Sequence, residues 1–171
     1  MRFDRVTNIA TLGLCVLLTA HLAYTYRYLV MSPRLLSDIR DGAIIKDSHD
    51  LRLRTAERTL IMITSSKCRF CQESLPFYVR LTAAAPKHNI HTIALTTEDL
   101  DVHRTFLAKG GIKVDGIASA EKNKLVVQGT PTLILVSRSG TVLHSWVGKL
   151  TTDQESTVMQ DVTSESIRST N

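Results

Sequence analysis

The sequence predicts an α/β sandwich around a mixed central sheet, preceded by an N-terminal transmembrane helix. Three observations predict it. Short apolar runs of strand length alternate with stretches of helical periodicity. The alternation ends in two strands joined by a tight turn and then a last helix, which makes part of the sheet antiparallel. The chain opens with a run, Val6 to Tyr26, that contains no Asp, Glu, Lys or Arg.

That opening run is about 21 residues, or ~31 Å of helix, close to the hydrocarbon thickness of a bilayer. Tyr24, Tyr26 and Tyr28 gather at its end, where amphipathic rings favour the interface. Arg2 and Arg5 precede it, as they would in a signal peptide. Cleavage after Ala20 or Ala23 would place Leu18 or His21 at a position that wants a small residue, so an uncleaved anchor is favoured. Residues 1–30 are expected to form a short cytoplasmic tail and the anchor. Residues 31–42 form a linker, broken from the helix by Ser32-Pro33, and residues 43–167 form the folded domain.

Within the domain, Ala43–Lys46 and Leu51–Arg54 flank the polar group Asp47-Ser48-His49-Asp50, and the second arm alternates apolar and basic residues. This predicts a hairpin. Leu60 to Ile63 is uninterrupted and apolar, as suits a central strand buried on both faces. A helix follows, with Leu75, Tyr78 and Val79 at helical spacing and Pro76 kinking it or ending its first turn. Ile90 to Leu95 is the next strand. Thr96-Thr97-Glu98-Asp99 caps a helix that runs to Lys109 and stops at Gly110-Gly111. Leu125-Val126-Val127 is a short apolar piece. Thr132–Val136 and Thr141–Val147 are strands joined by Ser137-Arg138-Ser139-Gly140. Thr151-Thr152 with Glu155 reads as a capping box for the last helix, whose apolar side is Val158, Met159 and Val162.

At 171 residues the chain fits one domain plus an extra segment. Its net charge of +5 is scattered, and aromatic residues are only 5%, so no basic stripe with interleaved aromatics points to nucleic acid. Of three cysteines, Cys15 lies in the N-terminal run, leaving Cys68 and Cys71 as a C-x-x-C pair. A zinc site usually needs four ligands, and His88 and His91 have the wrong spacing to supply the missing half.

The pair sits where the apolar strand hands over to a helix. A helix N-terminus carries unpaired N–H groups and partial positive charge, which favour a thiolate. Cys68 is therefore the candidate nucleophile, with Lys67 and Arg69 lowering its pKa further. Cys71, one turn on, can resolve the mixed disulfide that an attack by Cys68 would form. Other uses of the same residues are an inert disulfide, a Cu(I) site completed by His144 in a metallochaperone, and a redox-inactive adaptor. His49, His88, His91 and His103 read as solvated positions, and Trp146 as core or as packing near one end of the sheet.

Two blocks, LIMITSSKCRFCQESLP and VQGTPTLILVSRSGTVLHSWVGKL, resemble the thioredoxin superfamily, with Pro76 five places after the second cysteine. The resemblance covers roughly residues 43 to 166. It implies a thioredoxin-like sandwich with Thr130-Pro131 as a cis peptide facing the cysteines and presenting backbone to an extended substrate. With its anchor, the chain is most similar to TlpA-like thiol-disulfide oxidoreductases of the bacterial periplasm. That likeness implies a single-pass protein of the inner membrane whose domain faces the periplasm. It implies protein clients with thiols or disulfides, as in cytochrome c maturation or the maturation of enzymes such as methylamine dehydrogenase. It also implies a membrane or periplasmic redox partner, and no cofactor. The sequence departs from thioredoxin at Lys67, where thioredoxins have Trp, at Arg69-Phe70, where they have Gly-Pro, and at Met62, where they have a buried Asp. Glu73 is the acidic residue near enough in sequence to replace that Asp, although a solvated position suits it better. The departures leave the direction, reductase or oxidase, open.

Overall fold

Every residue of strand β1 (Arg58–Ile63) is buried. In a strand, alternate side chains face opposite sides, so β1 feeds two cores at once. In the computed structural model, which describes residues 13–25, 39–125 and 127–164, Leu60 and Met62 enter one apolar cluster and Ile61 and Ile63 the other. The uninterrupted apolar run of the sequence is thus explained by two-sided burial.

Around β1 the sheet has the order β3-β2-β1-β4-β5. Strand β2 (Ile90–Thr96) pairs parallel with β1, and β3 (Gly116–Ser119) parallel with β2. Strand β4 (Thr132–Ser137) pairs antiparallel with β1, and β5 (Val142–Val147) antiparallel with β4. The sheet is mixed, as predicted. Strand β3 was not legible: four residues that include a glycine carry too little apolar pattern to announce an edge strand.

Helices α3 (Leu75–Ala84), α4 (Leu100–Lys109) and α5 (Thr152–Thr163) supply Phe77, Leu81, Leu107, Val158 and Val162 to the cluster that holds Leu60 and Met62. Asp99 caps α4 by accepting from the N–H groups of Asp101 and Val102. The capping box of α5 is Thr151 with Gln154, not Glu155, whose carboxylate instead pairs with Arg80 at 2.7 Å. Arg58 is nearly fully buried. Its guanidinium donates to the carbonyls of Asp161 at 2.7 Å and of Val162 and Ser164 at 3.2 Å, tying the end of α5 to the sheet.

Among the described residues, no α-helix contributes a buried side chain to the opposite face. The expected hairpin over 43–54 does not form: Leu51 and Leu53 are fully buried, and Leu53–Thr55 is a 3-10 turn. Asp47 accepts from the N–H groups of Ser48 and Leu53, and Ser48 Oγ from that of Leu51. The alternation of Leu with Arg therefore comes from a coiled loop dropping two leucines into the core. Ile45 of this segment packs against the turn after β4. A Cβ at Gly140 would lie 2.2 Å from the Ile45 carbonyl oxygen, and its φ is +92°, so glycine is required there.

The chain divides into two units, residues up to Leu36 and from Ser37 onward. In the first, residues 13–25 form helix α1. The rest of the expected anchor, 1–12 and 26–30, and the linker up to residue 38 lie outside the described residues. Among the described residues no helix is long and apolar enough to cross a membrane.

Candidate active site

The site begins at the end of β1. Thr64 leaves the strand with its N–H on the Leu95 carbonyl at 3.1 Å, and Ser65-Ser66-Lys67 turn the chain into Cys68. Cys68 lies at the start of a helix, where the sequence places it, and is itself the N-cap of helix α2 (Arg69–Glu73). Its sulfur accepts from the Cys71 N–H at 3.3 Å, the role a Ser or Asp oxygen usually fills at this position. Ser74 separates α2 from α3, and Pro76 sits in the first turn of α3, where its missing N–H costs nothing.

The two thiols differ in access. Both are free; Cys68 is partly exposed and Cys71 fully buried. Partial burial pushes the Cys68 thiol up, but hydrogen bonds with the side chains of Cys71 and Thr130 and from the backbone N–H groups of Cys71 and Phe70 outweigh it, and the net pKa lies below the ordinary thiol value. Burial first, and then the Cys68 side chain, push Cys71 up to about 12. One thiol is poised to ionise and its neighbour is held protonated.

Opposite the cysteines, the Thr130–Pro131 peptide is cis. The Cys68 thiol donates to the Thr130 carbonyl at 3.2 Å. The sheet explains this meeting. Because β4 runs antiparallel to β1, the start of β4 lies beside the end of β1, with Thr132 opposite Ile63. The Gly148 N–H donates to the Pro131 carbonyl at 2.7 Å, bringing the end of β5 to the same place. Phe70 and Val147 are exposed apolar side chains, one between the cysteines and one opposite Thr132.

The basic neighbours are placed differently from each other. Arg69 Nε lies 2.7 Å from Glu73 Oε1, and Lys149 Nζ lies 2.6 Å from Glu73 Oε2. Lys149, and then Arg69, hold the Glu73 carboxyl below the usual range. Glu73 is thus committed to two cations at the surface. Met62, at the position where the resemblance would place an acid, is fully buried in the core.

Sequence reasoning missed two groups. Tyr78 lies buried near both sulfurs; burial is the main cause pushing its hydroxyl well above the ordinary range, and the cysteines add to it. His103, expected to be solvated, is fully buried. Its Nδ1 is 2.9 Å from Glu98 Oε1 and its Nε2 is 3.2 Å from Thr64 Oγ1. The sequence signal available was an acid five residues ahead of a histidine across a helix cap, too common to single out. His144, the candidate third copper ligand, is half-exposed with Nδ1 3.2 Å from Asp41, and its ring lies 5.8 Å from that of Trp146. Among the described residues no three His, Cys, Asp or Glu side chains converge as a metal set. Trp146 is partly buried against the core, opposite Leu133.

The sequence matches the family model of the thioredoxin-like domain over residues 50–163. Among solved structures, a thiol:disulfide interchange protein from Bacteroides sp. is similar at a TM-score of 0.59 and 14% identity, covering 77% of this chain and 93% of that one. A thiol:disulfide interchange protein of the thioredoxin family from Chlorobium tepidum TLS is similar at 0.56 and 14%, covering 73% and 97%. StoA from Bacillus subtilis is similar at 0.50 and 18%, covering 61% and 83%. These likenesses establish the fold. No curated protein sequence matches the chain.

Proposed function

This chain belongs to the thioredoxin-like family, and from that premise we propose that it exchanges thiols and disulfides with protein clients outside the cytoplasm. One observation carries the reading: the Cys71 N–H lies 3.3 Å from a partly exposed Cys68 sulfur, while Cys71 itself is buried. The Cys68 thiolate attacks a client disulfide. A new sulfur–sulfur bond forms, the client bond breaks, and one client sulfur leaves as a thiolate. Cys71 then gives up its proton, attacks the Cys68 sulfur and expels the second client sulfur. The client gains two electrons and two protons, and the chain is left with a Cys68–Cys71 disulfide. Run in reverse, the same steps oxidise a client dithiol. A dithiol or disulfide of a redox partner, in the membrane or the periplasm, resets the pair.

Thr130 and Pro131 are the substrate-binding residues in this proposal. Pro131 has no N–H, so the backbone before it can pair with an extended client segment beside Cys68. Phe70 and Val147 offer that segment apolar contact. Lys67 and Arg69 add positive charge around the nucleophile. The uncharged run Val6–Tyr26 supports an anchor in the bacterial inner membrane, with the domain in the periplasm and maturation of cytochrome c or of periplasmic enzymes as its service.

The test is a trap. Cys71→Ser accumulates mixed disulfides with clients, resolved on a non-reducing gel, and Cys68→Ser does not. Equal trapping by both variants would remove the assigned roles.

A further inference from the structure

Beside the cysteine loop lies a part-buried polar cluster, centred on the fully buried His103, that the exchange steps do not use. Strands β1 and β2 run parallel, with Ile63 opposite Leu95, so their strand-to-helix junctions emerge side by side. The first junction carries Ser65, Ser66, Lys67 and Cys68. The second carries Glu98 and, just inside α4, His103. Glu98 Oε1 accepts from the Ser66 N–H at 2.8 Å, and Oε2 accepts from Ser66 Oγ at 2.8 Å and Ser65 Oγ at 3.4 Å. The other side of the loop is closed by Gln72, whose Nε2 donates to the Ser66 carbonyl at 2.8 Å, and by the Cys68 N–H on the Ser65 carbonyl at 3.2 Å.

A fully buried imidazole is costly unless both nitrogens find partners, and here both do. Helix α4 has no need of this arrangement, since Asp99 already caps it. An apolar side chain could fill the space of His103 without losing solvation. What the imidazole adds is direction: one nitrogen rests on Thr64 at the end of β1, and the other aims the Glu98 carboxylate at Ser66.

We propose that Glu98 and His103 are positioning residues for Cys68, the imidazole aiming the carboxylate and the carboxylate fixing the Ser65–Lys67 loop so that the Cys68 sulfur stays on the Cys71 N–H. The proposal rests on Cys68 being the attacking thiol. Its sign separates it from a plain charge effect. A carboxylate that acted only as a nearby negative charge would oppose the thiolate, and its removal would speed the reaction of Cys68. A carboxylate that positions the loop gives the opposite sign, because a loosened loop weakens the hydrogen bond that favours the thiolate.

The test is the rate of alkylation of Cys68 by iodoacetamide across pH, on the reduced full chain. Glu98→Gln slows the reaction near neutral pH by about threefold or more and moves the midpoint of the rate–pH profile upward. His103→Gln, which keeps the carboxylate, moves both in the same direction. Ser66→Ala slows the reaction less, and combining it with Glu98→Gln gives less than the product of the two separate effects. Arg80→Ala, which opens the surface pair with Glu155 away from the loop, leaves the midpoint in place. A cooperatively melting Glu98→Gln that reacts as fast as the parent, or faster, overturns the proposal. If that variant does not fold, an unchanged rate and midpoint in Ser66→Ala overturns it instead. A parent Cys68 as sluggish as free cysteine would remove the exchange reading, and this proposal with it; a reactive parent with unchanged variants removes only the positioning pair.

Discussion

The backbone N–H of Cys71 points at the sulfur of Cys68 from 3.3 Å, so the residue that is buried stabilises the anion of the residue that is not. The consequence for titration is opposite at the two sulfurs. Cys68 lies below the ordinary thiol value and Cys71 rises to about 12.

Alkaline solution therefore separates them. For Cys71 the folded pKa is raised above the unfolded value of 9.0, so its contribution to stability is complete below pH 9 and is lost as pH rises toward about 12. Cys68 has the reverse sign, and its contribution is lost as pH falls through its lowered pKa. Urea unfolding of the reduced protein should show stability declining between these alkaline limits, and the decline should be shallower in Cys71→Ala. An identical slope in the variant would contradict the assignment.

Lys67 and Arg69 should not count equally. Arg69 shares Glu73 with Lys149, whereas Lys67 precedes the nucleophile directly. Exposed charges act weakly and are screened by salt. Lys67→Gln should slow alkylation of Cys68 by about two- to threefold at low ionic strength, Arg69→Gln by less, and both effects should fade in about 1 M salt. Stopped-flow alkylation at two salt concentrations measures this.

Arg58→Ala should cost about 2–3 kcal/mol of folding free energy, because it strips three carbonyls at the end of α5 of a charged donor in a buried place. Cys68 reactivity should survive in the folded fraction. Chemical denaturation paired with alkylation reads both.

Gly140→Ala should destabilise by about 2 kcal/mol or more. The new methyl would meet the Ile45 carbonyl at 2.2 Å on a backbone with φ of +92°. Thermal unfolding would show it, with Cys68 and Cys71 unaffected because the turn lies at the far end of β4 from Pro131.

Much of this was readable beforehand where the signal is local. Leu60 to Ile63 reads as a doubly buried strand because four apolar residues in succession have few other uses, and Cys68 as lying at a helix N-terminus because strand, turn residues and helix follow one another. The loop over 43–55 was misread because period two is shared by a half-wet strand and by a coil that buries Leu51 and Leu53 in turn. His103 was misread for a different reason. Its partners, Thr64 on one junction and Glu98 on the next, meet it only once β1 and β2 have paired, and no local pattern encodes that meeting.

In the proposed exchange, the full burial of Cys71 bears on how long a client would stay attached. A dissolved thiol can reach the sulfur of Cys68 but not that of Cys71. In that proposal, release by Cys71 would be an intramolecular, first-order event, indifferent to protein concentration. The dwell time of a captured client would then be a property written into the packing beneath the helix.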